Sequence, residues 1–175
     1  MAFAEPAMIA THFHMRDGDR IADLGAGSGH FTRALSRLVG KQGKVFAVEI
    51  QRPLAEAISA MARKEHLDNV ESIWGDLEAP GGTKITDGTL DAVVLSNTLS
   101  MLTDKKTTLQ ECSRILRKGG KLFVIDWTDS FGGMGPSAQM VISPISTKEL
   151  LTQAGFAFER EFPAGEHHYG LSFRI

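Results

Sequence analysis

The stretch "RIADLGAGSGHFTRAL", Arg20 to Leu35, decides how the rest of the chain reads. Its first part, Ile21 to Leu24, is a short apolar run that stops at a glycine, which predicts a buried strand. Gly25, Gly27 and Gly29 follow at alternate positions, and then Phe31, Leu35 and Leu38 at helical spacing, with Gly40 as a stop signal. A dinucleotide fingerprint counted from Gly25 needs a small residue at position 30, and His30 stands there. The pattern is G-x-G-x-G instead, with Asp23 two residues ahead of the first glycine. An aspartate beside a ligand repels phosphate and favours an ammonium or sulfonium group. The loop therefore suits a cationic, amino-acid-bearing nucleoside better than a dinucleotide. A phosphate-binding loop would also need a G-K-[ST] ending, which is absent. The plain alternative is a strand-to-helix turn that uses glycine for positive φ.

Outward from this unit the chain alternates. "GKVFAVEI" (Gly43 to Ile50) predicts a second strand, and "RPLAEAISAMARKEH" a helix with Pro53 in its first turn and Leu54, Ile58 and Met61 on one face. "VESIWGD" (Val70 to Asp76), "LDAVVLSNT" (Leu90 to Thr98) and "KLFVIDW" (Lys121 to Trp127) predict three more strands. Before the last of these, "TTLQECSRILRKGG" reads as an amphipathic helix closed by two glycines. Strands that are apolar throughout and alternate with helices imply a parallel sheet covered on both faces, a doubly wound α/β fold. The end of the chain breaks the pattern. A helix is expected from Ser146, which forms a capping-box pattern with Glu149, to about Ala154. "FAFEREF" and "YGLSFRI" follow, separated only by "PAGEHH", too short for a crossover, so they must pair as an antiparallel hairpin. The expected sheet has seven strands, mostly parallel, one reversed. No repeat or linker divides the chain, and residues 1–175 read as a single domain.

Composition narrows the functions. The 175 residues are 42% hydrophobic and 23% charged, with a net charge of −2, which gives no electrostatic reason to expect a nucleic-acid partner. Cys112 is the only cysteine, so no internal disulfide can form, and a reducing cytoplasm is the simplest expectation. The N-terminal "MAFAEPAMIATHFHMRDGD" lacks the basic start and apolar run of a signal peptide, and no apolar stretch is long enough to span a membrane. Monomer and homodimer both stay open.

"DLGAGSGHFT" resembles the first motif of the class I S-adenosylmethionine-dependent methyltransferases. "VFAVEI", "WGDLE", "LDAVVLSNTLSML" and "RILRKGGKLFVIDW" resemble the later motifs of that family in order, and the closing hairpin matches its fold. The branch is similar to the small stand-alone enzymes related to quinone-biosynthesis C-methyltransferases. The resemblance implies S-adenosyl-L-methionine as cofactor. It implies that Asp23 and the backbone of Gly25, Ala26, Gly27 and Gly29 face the methionine part, and that Glu49, with Ile50 next to it, accepts the ribose hydroxyl protons. Gly75, Asp76 and Leu77 would meet the adenine, and Ser96 and Asn97 would lie beside the reactive methyl.

Methyl transfer is an in-line displacement, so the protein must hold an acceptor on line and exclude water. The "FAFEREF" strand should run parallel to the first five, which brings the following turn over the same mouth as the glycine loop. His167, His168 and Tyr169 are then candidates for base or orienting donor, with the two histidines on opposite sides of the strand, and Asp126 is a further candidate. Trp127 could shield the acceptor. The long segment Thr128 to Ile145, with "FGGMGP", and the N-terminal "PAMIATHFHM" are candidate lids. His12, His14, His167 and His168 could in principle hold a metal, but no ligand spacing supports one and none is expected. Cys112, inside an amphipathic helix, reads as core. A small-molecule acceptor is the leading expectation. Alternatives are a protein or RNA methyltransferase, against which "SNTL" lacks an N-P-P-[YF] type of motif, a non-catalytic cofactor-binding module, and a nicotinamide dehydrogenase, disfavoured by His30.

Overall fold

The computed structural model describes residues 5–130 and 135–175. Its centre is a seven-stranded sheet. The strands are β1 (Arg20–Leu24), β2 (Lys44–Glu49), β3 (Val70–Trp74), β4 (Leu90–Ser96), β5 (Leu116–Trp127), β6 (Ala157–Pro163) and β7 (His168–Arg174). Their order is β3-β2-β1-β4-β5-β7-β6. The first five pair in parallel, and β7 is antiparallel to both β5 and β6. The expected architecture and its closing hairpin are both present. Around the sheet lie α1 (Pro6–Ala10), α2 (His30–Leu38), α3 (Arg52–Lys64), α4 (Lys105–Ile115) and α5 (Pro144–Gln153).

The central strands are apolar throughout because both faces are covered. On one face Leu24, Val48, Leu95, Val124 and Leu171 pack with Leu109, Cys112 and Ile115 of α4 and Leu151 of α5. On the other, Ile21, Val45, Val94, Phe123 and Ile125 pack with Leu35 of α2 and with Ile9, Ala10 and Phe13 from the N-terminal segment. In α3 the innermost residues are Ala55, Ile58 and Ala62, with Leu54 and Met61 half-buried on the flanks. Small side chains at 55 and 62 let the helix lie close to the sheet.

Two local readings need correction, and the link from β3 to β4 is irregular. α4 stops at Ile115, not at the two glycines. The chain becomes extended at Leu116, pairs there with Leu90, and bulges before Lys121 pairs with Ala92. Gly119, at φ +76°, and Gly120 shape that bulge, and both exchange backbone bonds with Ile175. The start of α5 is set by Ser143 rather than Ser146: the Ser143 hydroxyl accepts from the amide of Ser146 at 3.1 Å, and Pro144 fits the first turn. The connection from β3 to β4, residues 75–89, contains no helix; Pro80, Gly81, Gly82 and Gly88 break it. Glu111 of α4 holds it instead, accepting from the Thr83 hydroxyl at 2.6 Å and from the amides of Thr83 and Gly81. Arg114 completes the pair, and these bonds draw the Glu111 carboxyl down to about 2 against the opposing effect of burial.

The N-terminal segment is fixed by aromatic packing. The Phe13 ring is fully buried, stacked on Phe123 with centroids 4.1 Å apart and edge-on to Phe162 at 5.7 Å. Arg160 of β6 donates to the carbonyl of His12, which ties the same segment to the sheet edge. Replacing Phe13 by alanine should lower the unfolding free energy by about 3–5 kcal/mol in urea titrations. A loss under about 1 kcal/mol would mean that this segment is not docked in solution.

Candidate functional site

The chain winds from β1 to β2 and β3 on one side and then crosses to β4 and β5 on the other. The strand order reverses between β1 and β4, and at such a switch point an open α/β sheet leaves a crevice beyond its carboxyl ends. The glycine loop leaves β1 at that point, and "SNT" leaves β4 beside it. The Thr98 hydroxyl lies 3.1 Å from the Leu24 carbonyl and 3.0 Å from that of Ser96, bridging the two strand ends. Gly25 sits at φ +75°, and a Cβ there would come within 2.5 Å of the Thr98 hydroxyl, so only glycine fits. Gly29 backs onto Ile58 and Met61 of α3, whereas a Cβ on Gly27 would meet open space. The loop is thus packed at both ends and open at its middle glycine.

Two carboxylates flank that opening. Asp23 is 1% exposed at the end of β1 and accepts a 2.6 Å hydrogen bond from the Thr32 hydroxyl. Burial pushes its carboxyl up to about 6 from the ordinary 3.8; the bonds from Thr32 oppose this and the nearby Glu49 adds to it. Thr32 lies in the first turn of α2, whose own cap residue, Gly29, has no side chain. Asp23 therefore does the capping from the neighbouring strand. Glu49, 5% exposed at the end of β2, accepts from the amide of Gly27 at 2.9 Å and from the amide of Gln51 at 2.9 Å. Each oxygen carries one backbone bond and keeps acceptor capacity for a ligand hydroxyl.

The remaining residues expected at the cofactor fall around the same mouth. Ile50, next to Glu49, exposes 56% of its apolar surface. Gly75 is buried and hydrogen-bonded to the Glu49 carbonyl; a Cβ on it would press into the backbone of Gly82. Asp76 is half-buried and caps its own turn through the amide of Glu78, and Leu77 is buried in the core. Ser96 is half-buried, and Asn97 is exposed at φ +53°, its amide bonded to the Ile125 carbonyl.

The expected acceptor residues divide. Asp126, 1% exposed at the end of β5, accepts from the amide and hydroxyl of Ser100 and from the amide of Trp127. It fastens the turn after β4 to β5. Tyr169 points into the core, its hydroxyl 2.8 Å from that of Thr147, and burial raises its phenol well above the ordinary range. His167 faces Asp129, with Nδ1 3.0 Å from the carboxylate. His168 lies on the other side, its ring 4.2 Å from that of Trp127, the register partner across β5 and β7. Burial lowers the His168 imidazole from its ordinary value, so the ring is neutral at physiological pH. His14 sits at the opposite end of the sheet, near Arg16, Asp19 and Arg117, and the His12 ring stacks on Phe162. Among the described residues no three His, Cys, Asp or Glu side chains gather for a metal ion, and no helix is long and apolar enough to cross a membrane. Phe131 to Met134, the centre of the expected lid, lie outside the described residues.

Thr32, Thr98 and Ser100 complete this mouth, and sequence reasoning missed all three. A threonine three places after the loop's last glycine is a signal for the first. The pairing of Ser100 with Asp126 has no local signal.

A sheet in this order with a reversed seventh strand, and acids ending β1 and β2 around a G-x-G-x-G loop, define the class of S-adenosyl-L-methionine-dependent methyltransferases with a Rossmann-like fold. Residues 22–124 match the family described as "Methyltransferase domain", and the chain belongs to it. The chain is 31% identical over 115 residues to the ubiquinone/menaquinone biosynthesis C-methyltransferase UbiE of Hahella chejuensis; the match spans 65% of this chain and 45% of that protein, less than half of the relative's length. Among solved structures, a SAM-dependent methyltransferase from Aquifex aeolicus superposes with a TM-score of 0.89 at 26% identity, covering 99% of this chain and 90% of that one. The [4+2]-cyclase SpnF superposes with a TM-score of 0.81 at 15% identity, covering 96% of this chain and 78% of that one, a likeness of fold alone.

The raised carboxyl of Asp23 has a measurable consequence. Between its ordinary 3.8 and about 6, the native chain holds a proton that the unfolded chain has released. The contribution of this group to stability is fully present below the lower value and is lost as pH rises through the upper one. Carbon-detected NMR of the ligand-free protein should show the Asp23 carboxyl titrating near pH 6, and Thr32→Val should move it higher. A midpoint at or below 4 would contradict the geometry.

Proposed function

We propose that this protein transfers a methyl group from S-adenosyl-L-methionine to a small-molecule acceptor, at carbon, with the acceptor seated over the carboxyl ends of β4 and β5 and the amino end of β7. The observation that carries the reading is the pair of buried carboxylates, Asp23 and Glu49, on either side of the open Gly27. When bound, the cofactor supplies a methyl group activated by its sulfonium charge. The chain's residues fit it: Asp23 takes the ammonium, Glu49 takes the ribose hydroxyls, and the free space over Gly27 admits a close backbone approach. Ile50 covers one face of the adenine, Leu77 borders it, and Asp76 accepts from its amino group. Ser96 and Asn97 border the reacting end.

Carbon as the methylated atom follows the name of the curated relatives, and a small acceptor fits a fold with no inserted substrate domain among the described residues. We read residues 1–175 as one domain. A reducing, cytoplasmic setting fits Cys112, a buried thiol pushed up to about 12 by burial and therefore unreactive.

Calorimetric titration tests the reading. S-adenosyl-L-methionine and its demethylated product should bind, and NAD should not. Glu49→Ala should weaken the product about 10- to 100-fold, the loss of two charge-assisted hydrogen bonds. Wild-type affinity should fall up to about tenfold per pH unit below the Asp23 titration, because the proton must leave before the ammonium can pair. Binding of NAD alone, or equal affinity in Glu49→Ala, refutes the site. Cofactor binding without methyl transfer to any carbon acceptor would make the chain a binding module.

A further inference from the structure

The amino ends of the strands, opposite the glycine loop, hold a cleft of about 230 Å³. It lies between the turn before β1, the start of β4, the bulge of β5 and the end of β7. Its charged lining sets four cations, Arg16, Arg117, Lys121 and Arg174, against two acids, Asp19 and Asp91. That is an excess of positive charge in a chain whose net charge is −2. The acids are already engaged. Asp91 accepts from the Arg20 amide at 2.8 Å and from Arg117 Nε at 2.6 Å, and Asp19 accepts from the Arg16 amide at 2.7 Å. Glu159, outside the lining, accepts from Arg174 Nε at 2.6 Å and from the Ser172 hydroxyl. Ile175 takes the Gly119 amide on its main-chain oxygen and is not part of the lining either.

These bonds hold two guanidinium groups by one edge. Arg117 is fixed through Nε, and Arg174 through Nε and through Nη1, which donates to the Gly119 carbonyl at 2.9 Å. Both terminal nitrogens of Arg117 and Nη2 of Arg174 have no hydrogen-bond partner among the described residues. The Lys121 ammonium, on a half-buried residue of β5, and the Arg16 guanidinium have none there either. A guanidinium already held in place loses little freedom on binding, and its planar donors match the oxygens of a phosphate or carboxylate; lysine adds a point charge. Charge and size choose between ligands. A lone carboxylate cancels half of the excess in the lining, whereas a phosphate monoester carries about −1.5 to −2 near pH 7. Sites for drug-sized molecules hold about 300–1,000 Å³, so a cleft of about 230 Å³ admits a smaller one.

We propose that this cleft binds a phosphate group, free or carried by a small ester, with Arg117 and Arg174 as oriented donors and Lys121 and Arg16 as the charges beside it. The assignment is independent of the methyl-transfer reading, because no residue of the cleft belongs to the mouth around Gly27.

The experiment uses the full chain in a phosphate-free buffer at about 0.1 M NaCl, where exposed charges are screened beyond about 10 Å. Calorimetry reads the affinity for pyrophosphate, inorganic phosphate, glycerol 2-phosphate and acetate, and amide NMR reads where each binds. The three phosphates should bind at least about tenfold more tightly than acetate, the worth of one further charge-assisted hydrogen bond. They should shift the amides of Arg16, Gly119 and Lys121 and leave that of Gly27 in place. Lys121→Gln and Arg16→Gln should each weaken pyrophosphate about tenfold, and Lys121→Arg should keep most of the affinity. Neither side chain has a hydrogen-bond partner to lose, so both glutamine variants should unfold within about 2 °C of the wild type. Glu49→Ala, altered at the other end of the sheet, should bind pyrophosphate as the wild type does. Tighter binding of glycerol 2-phosphate than of inorganic phosphate supports an ester as the ligand, and the reverse order supports the free ion. Acetate bound as tightly as the phosphates overturns the proposal, as does full affinity in both glutamine variants. So do shifts confined to the residues around Gly27, or tighter binding of a short single-stranded oligonucleotide than of pyrophosphate, which would make this face a track for a nucleic-acid backbone.

Discussion

The site depends on one carboxylate kept from water. Asp23 ends the central strand β1 with only the first turn of α2 to support its charge, and its proton is held well above the usual range. In the ligand-free chain this is unfavourable, since a desolvated acid with no cation weakens the fold at neutral pH. In the proposed reading the same burial favours pairing with an incoming ammonium, because little water competes and the attraction is poorly screened. Glu49, a strand away, differs in kind. Two backbone amides hold it, and one of them belongs to Gly27 in the loop itself. In the proposed reading one acid pairs with the ligand's charge, while the other fixes the loop beside it.

The glycine loop shows how sterics and function divide within one motif. Gly25 is required by the approach of Thr98, and Gly29 by the packing of α3. Only Gly27 faces free space. Two of the three glycines let the fold close tightly, and the third leaves room for the ligand. The Thr98 bridge also ties the ends of β1 and β4 to each other. Across the sheet, Asp126 does the same for β4 and β5 by holding Ser100. The carboxyl ends of the four strands from β2 to β5 are thus cross-linked by side chains or by the loop, and a reacting group can be positioned against them without first ordering the backbone.

Much of this was legible in the sequence, for a physical reason. A strand buried on both faces must be apolar at every position, so β1, β2, β4 and the inner part of β5 stand out as runs. The short "PAGEHH" permits only a hairpin. Asp23 and Glu49 were legible because strand ends in a doubly wound sheet meet at one edge. What could not be read depended on contacts between residues far apart in sequence. Phe13 meets Phe123 and Phe162, Thr98 meets Leu24, and Glu111 holds residues 81 to 83; no local period records any of these. The α4 terminus was misplaced because Gly119 and Gly120 look like a helix stop, yet they serve a bulge that receives the last residue of the chain.

The roles of the hairpin residues were open for a related reason. A strand's alternation tells that His167 and His168 face opposite ways, but not which side carries the chemistry. The structure separates them by their company. His167 faces a carboxylate near the surface, Tyr169 is bonded within the core, and His168 has a buried nitrogen with no partner among the described residues, beside the Trp127 ring. The fold itself does not decide the reaction, since a cyclase shares it at a TM-score of 0.81. In the proposed reading the cofactor half rests on backbone geometry and two acids, and the acceptor half on a few side chains of β5 and β7. On that reading specificity should vary at the β5–β7 seam while the glycine loop stays fixed, because the side chains of Trp127 and His168 take no part in the Thr98 and Ser100 bridges that hold the strand ends together.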